Sequence, residues 1–153
     1  MGKTLILCGK MFIGEYTYKI DDKKRLAVPP KFREELGKKV VITKGLDCSL
    51  FLFTLDEWKE LAEKISKLPF SQADVRGFSR TMLAGAMEVD VDSTGRILIP
   101  DYLKSYALLK KEVVIAGVYN RVEIWDKEVW EDYKKRTEHE VGDIAERLKE
   151  LGM

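Results

Sequence analysis

The chain has 153 residues, 45% hydrophobic and 35% charged, with a formal net charge of +1. That length can bury one good core, and so even a balance does not announce a nucleic-acid partner by itself. One histidine and two separated cysteines supply too few ligands for a zinc site.

Taken in order, Met11–Ile20 alternates apolar and polar residues and predicts a half-buried strand. A polar loop, Asp22-Lys23-Lys24, follows. A second short strand begins at Arg25 and stops at Pro29, because proline has no N–H for a sheet ladder. Pro29-Pro30 introduces a short helix, Lys31–Leu36, with Gly37 as its C-cap. Val40–Lys44 and Ser49–Phe53 form a hairpin across the turn Gly45-Leu46-Asp47. Thr54-Leu55-Asp56-Glu57 is a capping box. It opens a helix to about Lys67, whose stripe (Trp58, Leu61, Ala62, Ile65, Leu68) is packing surface. Pro69 ends it. Val75, Phe78, Met82 and Leu83 predict a second amphipathic helix from Ser71 to near Gly85. Its Arg76 and Arg80 share one face, suited to DNA, a subunit interface or plain solvent. Val113–Val118 and Val122–Trp125 give a second strand pair. Asp126 caps a helix from Lys127 to about Thr137, and Gly142 is expected to break it before a last helix, Asp143–Leu151.

One stretch occurs twice. Thr17–Arg33 reads TYKIDDKKRLAVPPKFR, and Glu88–Lys104 reads EVDVDSTGRILIPDYLK. In this register Asp21 falls on Asp92, Arg25 on Arg96 and Pro29 on Pro100. Tyr16, Tyr18 and Ile20 fall on Met87, Val89 and Val91, and Leu26 and Val28 on Ile97 and Ile99. A repeat sets the architecture and comes before any fold assignment. An Asp at a strand end accepts backbone N–H bonds and shapes a turn. Asp22 competes with Asp21 for that role, and the repeat register favours Asp21. The arginine four residues on can pair with the Asp, or reach a phosphate or a guanine edge. One such pair alone would be an exposed ion pair worth under about 1 kcal/mol. Two at equivalent places favour function.

Two Asp-x-x-x-Arg motifs, each followed by an apolar strand and a proline, resemble the MraZ family. The resemblance runs from Met11 to about Lys149. It implies an α+β fold: two tandem AbrB/SpoVT-like swapped-hairpin β units forming one pseudo-symmetric β-rich body with flanking helices. The expected units are 15–60 and 86–132, with linking helices over 61–85 and a C-terminal helix or tail over 133–153. The resemblance further implies a cytoplasmic, nucleoid-associated transcriptional regulator, a repressor. It would bind repeated double-stranded DNA elements upstream of the division and cell-wall gene cluster as a ring-like homo-oligomer. Asp21, Arg25, Asp92 and Arg96 carry over as motif residues. The first loop departs from the pattern, with Lys24 where a glycine such as Gly95 is more usual. From the residues themselves, Lys23, Lys24, Lys31 and Arg33 are expected to add phosphate contacts that position the body.

Charge is unevenly spread. Thr17–Lys39 holds eight basic residues against four acidic ones, whereas Asp126–Met153 holds six against nine. A charge run is often only a solvated face. Repeated around a ring, however, such a face would add along DNA. Cys8 and Cys48 suit a reduced compartment. Neither a membrane span nor a signal peptide is expected, and Met1–Lys10 carries no function in this reading. His139 has no nucleophile motif beside it, and there is no phosphate loop or dinucleotide fingerprint. No enzymatic activity, cofactor, metal or small-molecule substrate is expected. Two readings compete: a ring-forming adaptor with a protein partner, and an antitoxin-like binder of the same hairpin class. The internal repeat argues against the antitoxin-like binder, which would form the body by dimerising.

Overall fold

A computed structural model describes residues 11–152. The readings on Met1–Lys10 and on Cys8 lie outside those residues, and Cys48 is a free thiol. The elements run β1 (Phe12–Lys19), β2 (Arg25–Ala27), α1 (Pro30–Leu36), β3 (Lys39–Lys44), β4 (Leu50–Thr54), α2 (Leu55–Ser66), α3 (Ala73–Ser79), β5 (Met87–Asp90), β6 (Arg96–Leu98), α4 (Asp101–Tyr106), β7 (Glu112–Tyr119), β8 (Val122–Asp126) and α5 (Lys127–Arg147). A π turn (Arg80–Ala84) follows α3, and a 3₁₀ turn (Leu148–Leu151) follows α5.

The strands form a six-stranded antiparallel sheet, ordered β1-β7-β8-β4-β3-β5, and a two-stranded ribbon of β2 with β6. That order is nearly symmetric about the β8–β4 seam. Each half gives its first strand to the other: β1 pairs with β7, and β5 pairs with β3. The fold is therefore α+β, with exchanged hairpins interlocked in one body. A swap of this kind leaves neither half able to close its own sheet.

Strand alternation sends one set of side chains to each face. Leu26 and Ile97 stand opposite each other in the ribbon and point inward. They meet Phe12, Val40, Ile42, Leu52 and Ile124 from the sheet, and Phe32 and Leu103 from α1 and α4. Each such side chain contributes roughly 1.5–3 kcal/mol on burial. On the sheet's other face, Ile65 of α2 and Met82 of the π turn pack with Phe51 and Phe53. Over the second half, α5 lays Trp130 and Tyr133 on Trp125, with ring centres 5.2 and 5.0 Å apart. Both expected caps form: Thr54 accepts from the Glu57 N–H, and Asp126 from the Glu128 N–H.

Two expectations fail. Gly142 does not break α5, which continues to Arg147. A glycine inside a helix costs about 1 kcal/mol against alanine. Stopping there would leave up to four N–H and four C=O groups without helical partners. The segment 71–85 is also not one helix: α3 widens into the π turn at Arg80. The turn sets Met82 into the core, and the buried Thr43 hydroxyl donates to the Met82 carbonyl at 2.7 Å. Tyr102 Oη, from α4, donates to the Gly85 carbonyl at 2.8 Å.

Candidate nucleic-acid interface

The ribbon carries a loop at each end, and the loops are built alike. Asp21 Oδ1 accepts from the Lys23 and Arg25 N–H groups at 2.8 and 2.9 Å, and Oδ2 accepts from Arg25 Nε at 2.9 Å. Asp92 Oδ1 accepts from the Thr94 N–H, the Thr94 hydroxyl and the Arg96 N–H, each at 2.9 Å, and Oδ2 accepts from Arg96 Nε at 3.2 Å. Asp21, not Asp22, thus shapes the first loop. The fourth residue of each loop is left-handed, Lys24 at φ 62° and Gly95 at φ 80°. The backbone conformation that a glycine would supply at position 24 is kept, with lysine in its place.

Each loop is fastened to the other half. The Val28 N–H donates to the Gly95 carbonyl at 2.8 Å, and the Ile99 N–H to the Lys24 carbonyl at 2.9 Å. With Leu26 and Ile97 inward, Arg25, Ala27, Arg96 and Leu98 share the outer face of the ribbon. Arg25 and Arg96 are diagonal neighbours there, each about a third exposed (33%). Arg96 Nη1 also comes within 3.9 Å of Asp21 Oδ2, so the second loop's arginine touches the first loop's carboxylate. In both arginines Nε is engaged by the loop, and the terminal nitrogens make no hydrogen bond among the described residues.

The loops hold their carboxylates in the charged form. The Arg25 N–H, with the Arg25 side chain and the Lys23 N–H behind it, holds Asp21 below the usual carboxylate range. The Arg96 N–H and both Thr94 donors lower Asp92 to about 2.

The structure brings Asp21, Lys23, Lys24, Arg25, Asp92 and Arg96 together around the ribbon. Lys31 is exposed on α1. Arg33 does not cluster round Arg25 as its sequence position suggests. Its Nε donates to the Val28 carbonyl at 3.0 Å, and its guanidinium lies over Gly95, on the second loop. Arg76 stays exposed and folds back on its own chain, donating to the Phe70 and Ser71 carbonyls. Sequence reasoning missed Lys104, Lys110 and Lys111, which the fold sets beside the Asp21 loop. The repeat register held the signal, since Lys104 falls on Arg33 and the exchange of strands sends both to the opposite loop. Among the described residues no group of His, Cys, Asp and Glu could hold a metal ion, and no helix is long and apolar enough to cross a membrane.

Comparison with known proteins accords with this geometry. The family model for the MraZ protein, described as antitoxin-like, matches residues 11–81 and again 82–151. The transcriptional regulator MraZ of Caldanaerobacter subterraneus subsp. tengcongensis is 53% identical over 138 residues, covering 90% of this chain and 96% of that protein. Those of Acetivibrio thermocellus and Alkaliphilus metalliredigens are 50% and 48% identical, covering 94% of this chain and all of theirs. Their name is that of a regulator and not of an enzyme. With two matched copies and relatives near half-identity along almost its whole length, the chain belongs to the MraZ family.

Proposed function

We propose that the chain is a sequence-specific DNA-binding transcriptional regulator that reads duplex DNA through its two Asp-x-x-x-Arg loops. The observation that carries this reading is the pairing of Arg25 and Arg96 on the outer face of one two-stranded ribbon, each tethered by Nε and with its terminal nitrogens making no hydrogen bond among the described residues. A two-stranded ribbon fits the major groove, about 12 Å wide, where a guanidinium edge can bond guanine O6 and N7 together. Aspartates that grip Nε fix the arginines beforehand and lower the entropy lost on binding. Lys23, Lys24 and Lys31 add backbone contacts without reading sequence.

By its likeness to the family, the protein represses the division and cell-wall gene cluster from repeated upstream elements. It acts on the nucleoid, in the cytoplasm, as a ring-like homo-oligomer. Assembly draws support from α5. Its apolar residues Val141 and Ile144 are followed by Leu148 and Leu151 of the 3₁₀ turn, with Val141 56% and Leu151 81% exposed. The same residues are what favour the second reading, an assembled adaptor whose main partner is a protein.

Fluorescence anisotropy on DNA from upstream of the protein's own gene, against a scrambled duplex at two salt concentrations, separates them. The expected outcome is a salt-sensitive preference for the native duplex that Arg25→Ala and Arg96→Ala each abolish. Weak binding indifferent to sequence and to both arginines would favour the adaptor.

A further inference from the structure

The exchange of strands carries charge from one half to the other. At the end of β1 the Ile20 N–H donates to the Lys111 carbonyl at 2.9 Å, which seats the Asp21 loop on the turn between α4 and β7. A cleft of about 380 Å³ opens there, lined by Asp21, Asp22, Lys24, Lys104, Lys110 and Lys111. Four ammonium groups thus face two carboxylates. Asp21 is turned into its own loop, where three N–H groups occupy it. Lys24 meets Asp101 at 2.6 Å, and Lys110 leans to Asp126 and Glu128 at 3.7 and 3.5 Å. The Lys24–Asp101 and Lys110–Glu128 pairs are exposed, and pairs of this kind are worth at most about 1 kcal/mol and yield readily to a stronger anion. Asp126 is buried, and its oxygens also accept the Lys110 and Glu128 N–H groups. Lys104 and Lys111 make no ion pair among the described residues.

The pseudo-symmetric place, beside the Asp92 loop, is built on the same backbone, with the Val91 N–H donating to the Lys38 carbonyl at 2.8 Å. Its charge is different. Gly95 stands for Lys24 and Gly37 for Lys110. Arg33 stands for Lys104 but is committed to the Val28 carbonyl and to covering Gly95. Lys38 alone matches Lys111.

We propose that the lysine cleft beside the Asp21 loop binds a phosphate of the DNA backbone, flanking the base pairs met by the arginines, and that its counterpart beside the Asp92 loop does not. A ribbon with nearly two-fold symmetry then sits on the duplex in one direction. This rests on the DNA-binding reading above. The cleft's chemistry is that of a phosphate receptor, so a free phosphate is the competing occupant.

The test compares the full-length chain with Lys104→Gln/Lys110→Gln/Lys111→Gln, and with Lys38→Gln as the control for the other loop. Binding to native and scrambled duplexes is measured across a salt series. For the triple variant, the slope of log affinity against log salt should fall by about 0.9 for each DNA phosphate that it no longer neutralises. Its preference for the native duplex should persist, and Lys38→Gln should leave the slope near wild type. Should the triple variant not fold, Lys111→Gln alone, which breaks no ion pair, should lower the slope by part of that amount. An unchanged slope in the lysine variants, or an equal fall in Lys38→Gln, would overturn the proposal. So would pyrophosphate binding that the triple variant loses while the DNA slope stays put, since that marks a site for small phosphates. A wild-type chain with no salt-sensitive preference would instead defeat the DNA reading beneath it.

Discussion

At the Asp21 loop and at the Asp92 loop, equivalent carboxylate oxygens take equivalent backbone N–H groups and the Nε of the arginine four residues on. The cross-bonds to the opposite half match as well. Away from the loops the halves part company. β1 pairs with β7 from Phe12 opposite Tyr119 to Lys19 opposite Glu112, whereas β5 meets β3 only from Met87 to Asp90. One half turns its chain back over the sheet through α3 and the π turn, and the other runs straight on in α5. The parts kept alike are those that aim an arginine. Even there the constraint lies on the backbone more than on the residue, since lysine and glycine both take the left-handed position.

The largest effects should come from the arginines themselves. Arg25→Ala and Arg96→Ala should each cost roughly 1–3 kcal/mol on a native duplex, read as loss of affinity by anisotropy. They should differ in salt dependence. Arg25→Ala should lose more non-specific binding, because its loop carries Lys23 and Lys24 and stands beside the lysines of the α4–β7 turn. Equal salt slopes in the two variants would erase that difference between the loops.

Next in size is a test of the longer exchange. Gly117 faces Gly14 across the β1–β7 ladder. A Cβ at Gly117 would stand 2.6 Å from the Ile13 nitrogen and from the Phe12 carbonyl carbon. Backbone cannot swing aside as a side-chain tip can, so Gly117→Ala should cost about 2 kcal/mol, several degrees in Tm. Because the exchanged strands close both halves, circular dichroism and tryptophan fluorescence should report one coincident transition. Two separate transitions would mean that the halves are less interlocked than their strand order requires.

Smaller again is the pair of substitutions that trade the loops' fourth residues. A left-handed non-glycine residue costs about 1–2 kcal/mol. Lys24→Gly should therefore raise stability by about 1 kcal/mol, less the exposed Asp101 ion pair, while lowering the salt slope on DNA. Gly95→Ala should lower stability by a similar amount and push Arg33 off the loop it covers. Thermal melts of the two variants that shift in the same direction would break the equivalence of the loops.

Much of this was legible in the residues. The repeat register picked Asp21 over Asp22, and period-two alternation put Leu26 and Ile97 inside. What alternation cannot say is which strand lies alongside. It fixes the face of a side chain and leaves its neighbour open, so proximity in sequence places Arg33 with Arg25. Only the pairing of β2 with β6 sends it to Gly95 and brings Lys104, Lys110 and Lys111 to Asp21. The break expected at Gly142 failed for a different reason. Propensity is a local preference of about 1 kcal/mol, and the hydrogen bonds of an ongoing helix outweigh it.

The finest difference between the loops is one hydroxyl. Thr94 gives Asp92 Oδ1 an O–H as well as an N–H, whereas Lys23 gives Asp21 only its N–H. Both carboxyls are held below their ordinary 3.8, in each case chiefly by the backbone N–H of the arginine four residues on. A folded-state pKa below the unfolded one adds stability that is present above the unfolded value. It is lost as pH falls through the folded value. Neither loop should therefore change near neutral pH. On acidification below 3.8, the Asp21 loop should release its arginine first, and the Asp92 loop should hold until about 2. Carboxyl carbon shifts and arginine Nε shifts, followed by NMR through that window, would show the order. Thr94→Ala removes the hydroxyl and keeps the N–H, so it should bring the Asp92 midpoint up towards that of Asp21. If the Asp92 midpoint stayed put, the hydroxyl would not be what separates the two carboxyls, and the difference would lie in the N–H groups and the arginines of the loops.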